Sequence, residues 1–180
     1  YAEEIARIFI RKANEILKEN AKGIADLPDD QHVGILTRGY EGRPEIPSMQ
    51  SLYKLESPGA FATYPDYRGI ARIVGMEIAY TGHDLLEQID AFEKSIDKYD
   101  FFFFHVKKTD SAGEDGDFTM KVHLIEEFDA LLPRLEKIDV KVITGDHSTP
   151  ATFKAHSWHP VPFAISGKWC RPDSVKGFSE

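Results

Sequence analysis

Short apolar segments alternate with longer amphipathic segments along most of this 180-residue sequence. The short segments are rich in β-branched and aromatic residues and are bounded by glycine, proline or aspartate, which predicts strands. The longer segments repeat apolar residues at helical spacing. Strands that alternate with helices form βαβ units, so we expect an α/β fold with three layers (αβα) and a largely parallel central sheet. The predicted strands are residues 33–36, 60–64, 76–80, 100–106, 139–144 and 161–165.

Local signals predict where several helices begin and end. Pro65 suits the first turn of a helix, and Gly75 suits the position after its end. Asp84 precedes another apolar stripe and is expected to cap that helix. The predicted helices cover residues 2–21, 65–74, 85–96 and 118–135, and residues 107–117 are predicted to form a loop.

Composition excludes several classes of function. The chain has 42% hydrophobic and 29% charged residues, which is typical of a globular protein. Its net charge of −8 argues against nucleic acid or an anionic membrane as the main partner. We see neither a stretch of about 20 apolar residues nor a signal peptide. The single cysteine, Cys170, allows no internal disulfide and suits a reducing cytosol, so we expect a cytoplasmic protein.

Metal-ligand chemistry is concentrated after two of the predicted strands. Asp146 and His147 follow the segment 139–144, which we interpret as a buried parallel strand, and Asp110 follows the strand 100–106. Ligands of open α/β sheets bind at the carboxyl ends of the strands. His156 lies nine residues beyond His147. Carboxylate oxygens and imidazole nitrogens are ligands for divalent metals, so these four side chains predict a metal centre.

Three further residues are weaker candidates. Glu114 lies four residues after Asp110 and could share its metal, although a solvated acid is an alternative. Arg38 and Arg68 lie at or just beyond strand ends. An arginine there is usually a salt-bridge residue, but its guanidinium also suits phosphate or carboxylate.

These motifs resemble one known family, the archaeal-type, cofactor-independent phosphoglycerate mutases of the alkaline phosphatase superfamily. The resemblance extends over essentially the whole chain, in order. It rests on Gly-Asp-His-Ser-Thr-Pro at 145–150, the segment 155–162 with its His-Ser and Pro-Val-Pro, Lys-Lys-Thr-Asp-Ser-Ala-Gly at 107–113, the segment 64–76, Leu-Thr-Arg-Gly at 36–39 and the tail 171–180.

The resemblance implies an isomerase of glycolysis and gluconeogenesis that interconverts 3-phosphoglycerate and 2-phosphoglycerate through a phosphoserine intermediate. It implies two divalent metal ions and no 2,3-bisphosphoglycerate. One metal would be bound by Asp146 and His147, and the other by Asp110 and His156. Arg38 and Arg68 would lie near the phosphoglycerate substrate.

The sequence departs from the family pattern in two ways. Glu114 stands where the family has a histidine, which favours Mn²⁺ or Mg²⁺ over Zn²⁺, or leaves that metal weakly bound or absent. The nucleophilic serine of the family has no counterpart here, so the chain contains no catalytic nucleophile.

We therefore expect the C-terminal portion of an enzyme, inactive alone and partnered by the N-terminal half of the same protein. In this interpretation residues 1–22 are the last helix of an inserted cap domain, and residues 23–180 belong to the metal-binding phosphatase-like domain. The alternatives are a metal-dependent phosphohydrolase of phosphomonoesters or phosphonates and a catalytically incomplete fragment.

Overall fold

A computed structural model describes residues 2–24, 34–35, 37, 42 and 44–177. The chain divides into two compact units, Tyr1–Glu45 and Ile46–Glu180, which we describe separately. The predicted strand 33–36 falls largely outside the described residues, and the described residues Gly34 and Ile35 lie in neither a helix nor a strand.

The first unit consists mainly of one long helix, α1 (Ala2–Ile24), which confirms the helix predicted over 2–21. Glu3 accepts hydrogen bonds from Arg7 one turn later. The Asn14 side chain accepts a hydrogen bond from the backbone N–H of Ile35 at 3.0 Å. This bond ties the segment after the helix back to the middle of α1.

A parallel sheet forms the centre of the second unit. Its strands are β1 (Pro58–Ala62), β2 (Glu77–Tyr80) and β3 (Phe101–His105), in the order β2-β1-β3. All residues of β1 are buried because the strand has neighbours on both sides. On one face of the sheet, the ring of Phe61 from β1 packs with Phe92 and Tyr99 and forms the core.

Helices lie before and after the strands of this sheet, and one helix follows each strand, as the alternation predicts. They are α2 (Met49–Tyr53), α3 (Pro65–Ile73), α4 (Leu85–Lys94), α5 (Lys108–Asp115) and α6 (Phe118–Leu131), and a 3₁₀ turn, Leu132–Leu135, continues α6. Pro133 has no N–H to donate, which suits this change of helix type. The parallel sheet with its intervening helices confirms the predicted α/β class. Among the described helices, none is both long enough and apolar enough to cross a membrane.

The predicted helix signals at Asp84 and Gly75 are confirmed. The Asp84 carboxylate accepts a hydrogen bond from the backbone N–H of Glu87 at the start of α4. Gly75 follows the end of α3 with φ of +85°, a conformation that glycine adopts without steric cost.

Two predictions about secondary structure are wrong. The segment 139–144 contains β4 (Val140–Thr144), which pairs in an antiparallel ribbon with β5 (Phe163–Gly167) and not in a parallel sheet. Its alternate residues Val140 and Val142 are 55% and 53% exposed, so β4 is not buried. Residues 107–117 are not a loop, because most of them form α5.

Replacing Asp84 with alanine removes the side-chain cap that the structure gives to the first turn of α4. Loss of such a cap costs about 1 kcal/mol, and asparagine caps as well as aspartate does. We expect Asp84→Ala to lower the free energy of unfolding by about that amount in urea titrations, and Asp84→Asn to restore most of it. Asp97→Ala, at an exposed turn, is the matched control. Equal stability of Asp84→Ala and wild type would contradict the capping role.

Candidate metal centre

The residues predicted to bind metal converge because of three local features. Asp110 lies in the first turn of α5, which begins three residues after β3 ends. His147 lies in the segment that leaves β4. Ser148 and Ser157 pair in an isolated antiparallel bridge, in which the Ser157 N–H donates to the Ser148 carbonyl at 2.9 Å. This bridge brings His156 beside His147.

Each of four potential ligands lies within a few ångströms of at least one other. His156 Nε2 is 3.8 Å from Asp110 Oδ1, and His147 Nε2 is 3.6 Å from Asp146 Oδ2. The imidazole rings of His147 and His156 have centroids 3.7 Å apart. One ligand atom from each of Asp110, His147 and His156 lies within 4.8 Å of the other two. The structure thus groups these side chains as the sequence predicts.

Asp110 is the most buried of the four potential ligands, and its carboxylate accepts two hydrogen bonds. Lys107 donates to Oδ2, and the Thr149 hydroxyl donates to Oδ1. Burial by itself would raise the pKa of Asp110, but these hydrogen bonds and the charge of Lys107 lower it below its ordinary value. The carboxylate is therefore ionised at neutral pH, as a metal ligand must be.

Asp146 is oriented by Tyr67, whose phenol donates a hydrogen bond to Oδ2. This hydrogen bond is the main reason that the pKa of Tyr67 is raised to about 12, and burial adds to it. Burial would raise the pKa of Asp146, but the hydrogen bond from Tyr67 and the nearby histidines lower it. The Tyr67 ring in turn stacks on His105, with centroids 3.7 Å apart.

The segment that contains Thr149 packs against α5 and α6. The Lys121 ammonium donates to the Thr149 carbonyl at 2.7 Å, and burial lowers the pKa of that lysine. A Cβ atom on Gly113 would overlap the same carbonyl oxygen, so this close approach requires glycine. Asp110 and Gly113, three residues apart on α5, thus both contact Thr149.

The weaker candidates have different positions. Glu114 Oε1 lies 3.8 Å from His156 Nε2, although Glu114 is outside the group of Asp110, His147 and His156. Arg68 donates from Nη1 to the backbone carbonyl of Thr81 at 2.9 Å. Arg38 lies outside the described residues.

Sequence reasoning did not single out Thr149, Lys107 and Tyr67 as parts of the site. Thr149 lies in the motif 145–150 with Asp146, Lys107 lies in the motif 107–113 with Asp110, and Tyr67 lies in the segment 64–76. Their position in these motifs is the one feature of the sequence that points to a role in the site. Their hydrogen bonds to the carboxylates depend on contacts that only the folded chain shows.

A family model for the metalloenzyme superfamily matches residues 8–178. The chain belongs to this superfamily. The predicted resemblance is also confirmed by curated relatives named probable 2,3-bisphosphoglycerate-independent phosphoglycerate mutase. A relative from Thermotoga petrophila is 46% identical over 99% of this chain and 44% of its own length. One from Thermus thermophilus is 49% identical over 82% of this chain and 37% of its own.

A solved structure, the PH0037 protein from Pyrococcus horikoshii, matches 99% of this metalloenzyme-superfamily chain with a TM-score of 0.81 and 31% sequence identity. The match covers 50% of that protein. The structural match supports the αβα fold. The chain spans less than half the length of the curated relatives named above.

Replacing Gly113 with alanine should force α5 away from the Thr149 carbonyl. Overpacking of this kind costs about 1–3 kcal/mol, whereas Gly→Ala in an open helical position stabilises by about 0.4–1 kcal/mol. Gly69 in α3 has no atom within 4 Å of a built Cβ, so Gly69→Ala is the matched control. Denaturant unfolding should show changes of opposite sign. A stabilising Gly113→Ala would show that the close approach is absent.

Burial lowers the pKa of His105 below its ordinary value of 6.5. The unfolded chain then binds more protons than the folded chain below about pH 6.5, so the free energy of unfolding falls as the solution is acidified. His105→Phe keeps an aromatic ring against Tyr67 and removes this titration. We expect metal-free wild type to lose more stability than His105→Phe when the pH is lowered from about 7.5 to about 5.5. Parallel losses in the two proteins would assign the effect to other groups.

Proposed function

We propose that this chain supplies metal-binding residues of a phosphoglycerate mutase, which interconverts 3-phosphoglycerate and 2-phosphoglycerate through a phosphoserine intermediate. The observation that carries the proposal is the convergence of two aspartate–histidine pairs, Asp110 with His156 and Asp146 with His147. The names of the curated relatives point to the substrate and the reaction.

The chemistry of the donor set fits two divalent ions. Two ligands bound at about 2.1 Å to one tetrahedral ion lie about 3.4 Å apart. The ligand atoms of the two pairs are separated by 3.8 and 3.6 Å. We therefore assign Asp110 and His156 to one metal and Asp146 and His147 to the other. When bound, two such ions would lower the pKa of an attacking hydroxyl and stabilise the charge of the phosphoryl group in transfer.

Residues around the ligands neutralise or orient the carboxylates, and others are assigned to bind the substrate. Lys107 neutralises the Asp110 carboxylate, and Tyr67 orients Asp146. We assign Arg68 to substrate binding, since its guanidinium is anchored at Thr81 and suits phosphate or carboxylate. Arg38 receives the same assignment from the sequence.

Glu114 bears on the identity of the metal. Its carboxylate oxygen is 3.8 Å from His156 Nε2, and both belong to side chains that are about half exposed. A carboxylate is a harder ligand than an imidazole and favours Mn²⁺ or Mg²⁺ over Zn²⁺. We propose Mn²⁺ as the preferred ion, with no requirement for 2,3-bisphosphoglycerate.

The proposed enzyme is a longer polypeptide of the cytoplasm that includes this chain. The curated relatives are more than twice as long as the segment that matches it. One face of the β4–β5 ribbon presents the apolar side chains of Val140, Val142, Phe163 and Ile165, each about half exposed or more. We propose that the rest of that polypeptide covers this face and supplies the serine nucleophile. Residues 1–22 are assigned to the cap domain and residues 23–180 to the metal-binding domain.

Metal binding is tested with the 180-residue chain. Isothermal titration with Mn²⁺ should give about two ions per wild-type chain, the number that a two-metal site holds. Asp110→Asn and Asp146→Asn should each weaken one of them. Asp139→Asn, at an exposed position just before β4, is the matched control and should bind as wild type does. Failure of wild type to bind Mn²⁺ would contradict the proposal.

The reaction is tested with the proposed longer polypeptide, which contains this chain together with the part of the enzyme that its longer relatives have and this chain lacks. Phosphorus NMR distinguishes 2-phosphoglycerate, 3-phosphoglycerate and inorganic phosphate in one sample. The longer polypeptide with Mn²⁺ should form 2-phosphoglycerate from 3-phosphoglycerate, and the 180-residue chain alone should not. Release of inorganic phosphate without 2-phosphoglycerate would identify a phosphohydrolase.

A further inference from the structure

Thr149 is a buried polar residue that contacts two of the candidate metal ligands. Only 3% of its surface is exposed, although threonine is usually a surface residue. Its hydroxyl oxygen lies 2.5 Å from Asp110 Oδ1 and 3.0 Å from His147 Nδ1. Thr149 therefore touches one ligand from each of the two proposed metal positions.

The direction of these hydrogen bonds follows from the number of protons available. A threonine hydroxyl has one proton to donate and can also accept. An ionised carboxylate can only accept, so the short contact to Asp110 requires the hydroxyl to donate there. The Thr149 oxygen is then an acceptor for His147, and His147 Nδ1 must carry a proton. In the neutral ring, Nε2 consequently has a free lone pair.

That lone pair belongs to the nitrogen that is nearest to Asp146. His147 Nε2 lies 3.6 Å from Asp146 Oδ2, whereas Nδ1 is on the side of Thr149 and Asp110. A metal-binding histidine commonly donates from its second nitrogen to a neighbouring acceptor, which fixes both the tautomer and the orientation of the ring. Here the acceptor is a hydroxyl that is itself held by a second carboxylate.

We infer that Thr149 is a positioning residue that fixes His147 in the Nδ1-protonated tautomer and links the ligands of the two metal positions. Its backbone is held as well, by the hydrogen bond from Lys121 and by the close packing of Gly113. The inference deepens the proposed function and rests on it for the role of metal. The tautomer is inferred from the hydrogen bonds of Thr149 and not from a bound metal.

The tautomer is measured first, in metal-free protein. Long-range proton–nitrogen NMR spectra distinguish the two neutral forms of each imidazole, at a pH above the range in which exposed histidines become protonated. His147→Gln identifies the signals of His147 by their loss. We expect wild type to show the Nδ1-protonated form, Thr149→Ser to retain it and Thr149→Val to lose that preference. A wild-type His147 protonated at Nε2 would overturn the inference, whatever the Thr149 variants show.

Metal affinity is measured second, with Mn²⁺ as the probe. Removing an outer partner of a ligand typically weakens metal binding about 10- to 100-fold, and we expect this loss for Thr149→Val. Because Thr149 contacts a ligand of each pair, both Mn²⁺ sites should weaken. Thr149→Ser keeps the hydroxyl and should remain close to wild type. Thr152→Val removes an exposed hydroxyl three residues away and is the matched control.

The two measurements separate failure of the inference from failure of the proposed function. Wild type that binds Mn²⁺ while Thr149→Val binds it equally well would overturn the positioning role and leave the proposed function standing. Wild type that binds no Mn²⁺ would overturn the proposed function and the role of Thr149 in metal binding. A folded Thr149→Ser that behaves like Thr149→Val would also contradict the inference, because the hydroxyl would then be irrelevant.

Discussion

The parallel pairing of β1 with both β2 and β3 is the constraint on which the second unit depends. Gln88, almost fully buried on α4, reinforces this pairing by donating to the carbonyls of Phe61 and His105, near the carboxyl ends of β1 and β3. Strands held in parallel register end at the same edge. The helices that follow them, α3 and α5, therefore begin close together. Tyr67 and Asp110 are the first-turn residues that this arrangement brings to the candidate metal site.

Much of this fold is readable from local pattern. Helix ends are specified by contacts within a few residues, as at Asp84, Pro65 and Gly75. Such signals can be read from a short stretch of sequence, whatever the rest of the chain contains. The β4–β5 ribbon is different, because a β-branched run has the same local pattern in a parallel and in an antiparallel pair. Its partner, β5, lies beyond the loop that carries the histidines, and strand direction depends on that distant pairing.

In the candidate site, too, some residues are predictable from the local sequence and others only from contacts between distant segments. The sequence predicts Asp110, Asp146 and His147 from their residue type and position after strands, and His156 from its position nine residues beyond His147. The structure brings these side chains together. Thr149 and Tyr67 were missed as contributors because neither is a typical metal ligand. Thr149 donates a hydrogen bond to Asp110, 39 residues away in sequence, and Tyr67 donates one to Asp146, 79 residues away. Such partners depend on hydrogen bonds between segments that are distant in sequence.

The Ser148–Ser157 bridge closes the base of the loop that separates the two histidines. A loop clamped at its base keeps its two ends in place whatever its tip contains. The spacing of the imidazoles is therefore decoupled from the residues of the tip, among which Thr152, Phe153 and Lys154 are exposed. Exposed loop tips are the usual sites at which proteins accept added sequence. We expect this tip to accept a short inserted peptide beside the candidate metal centre.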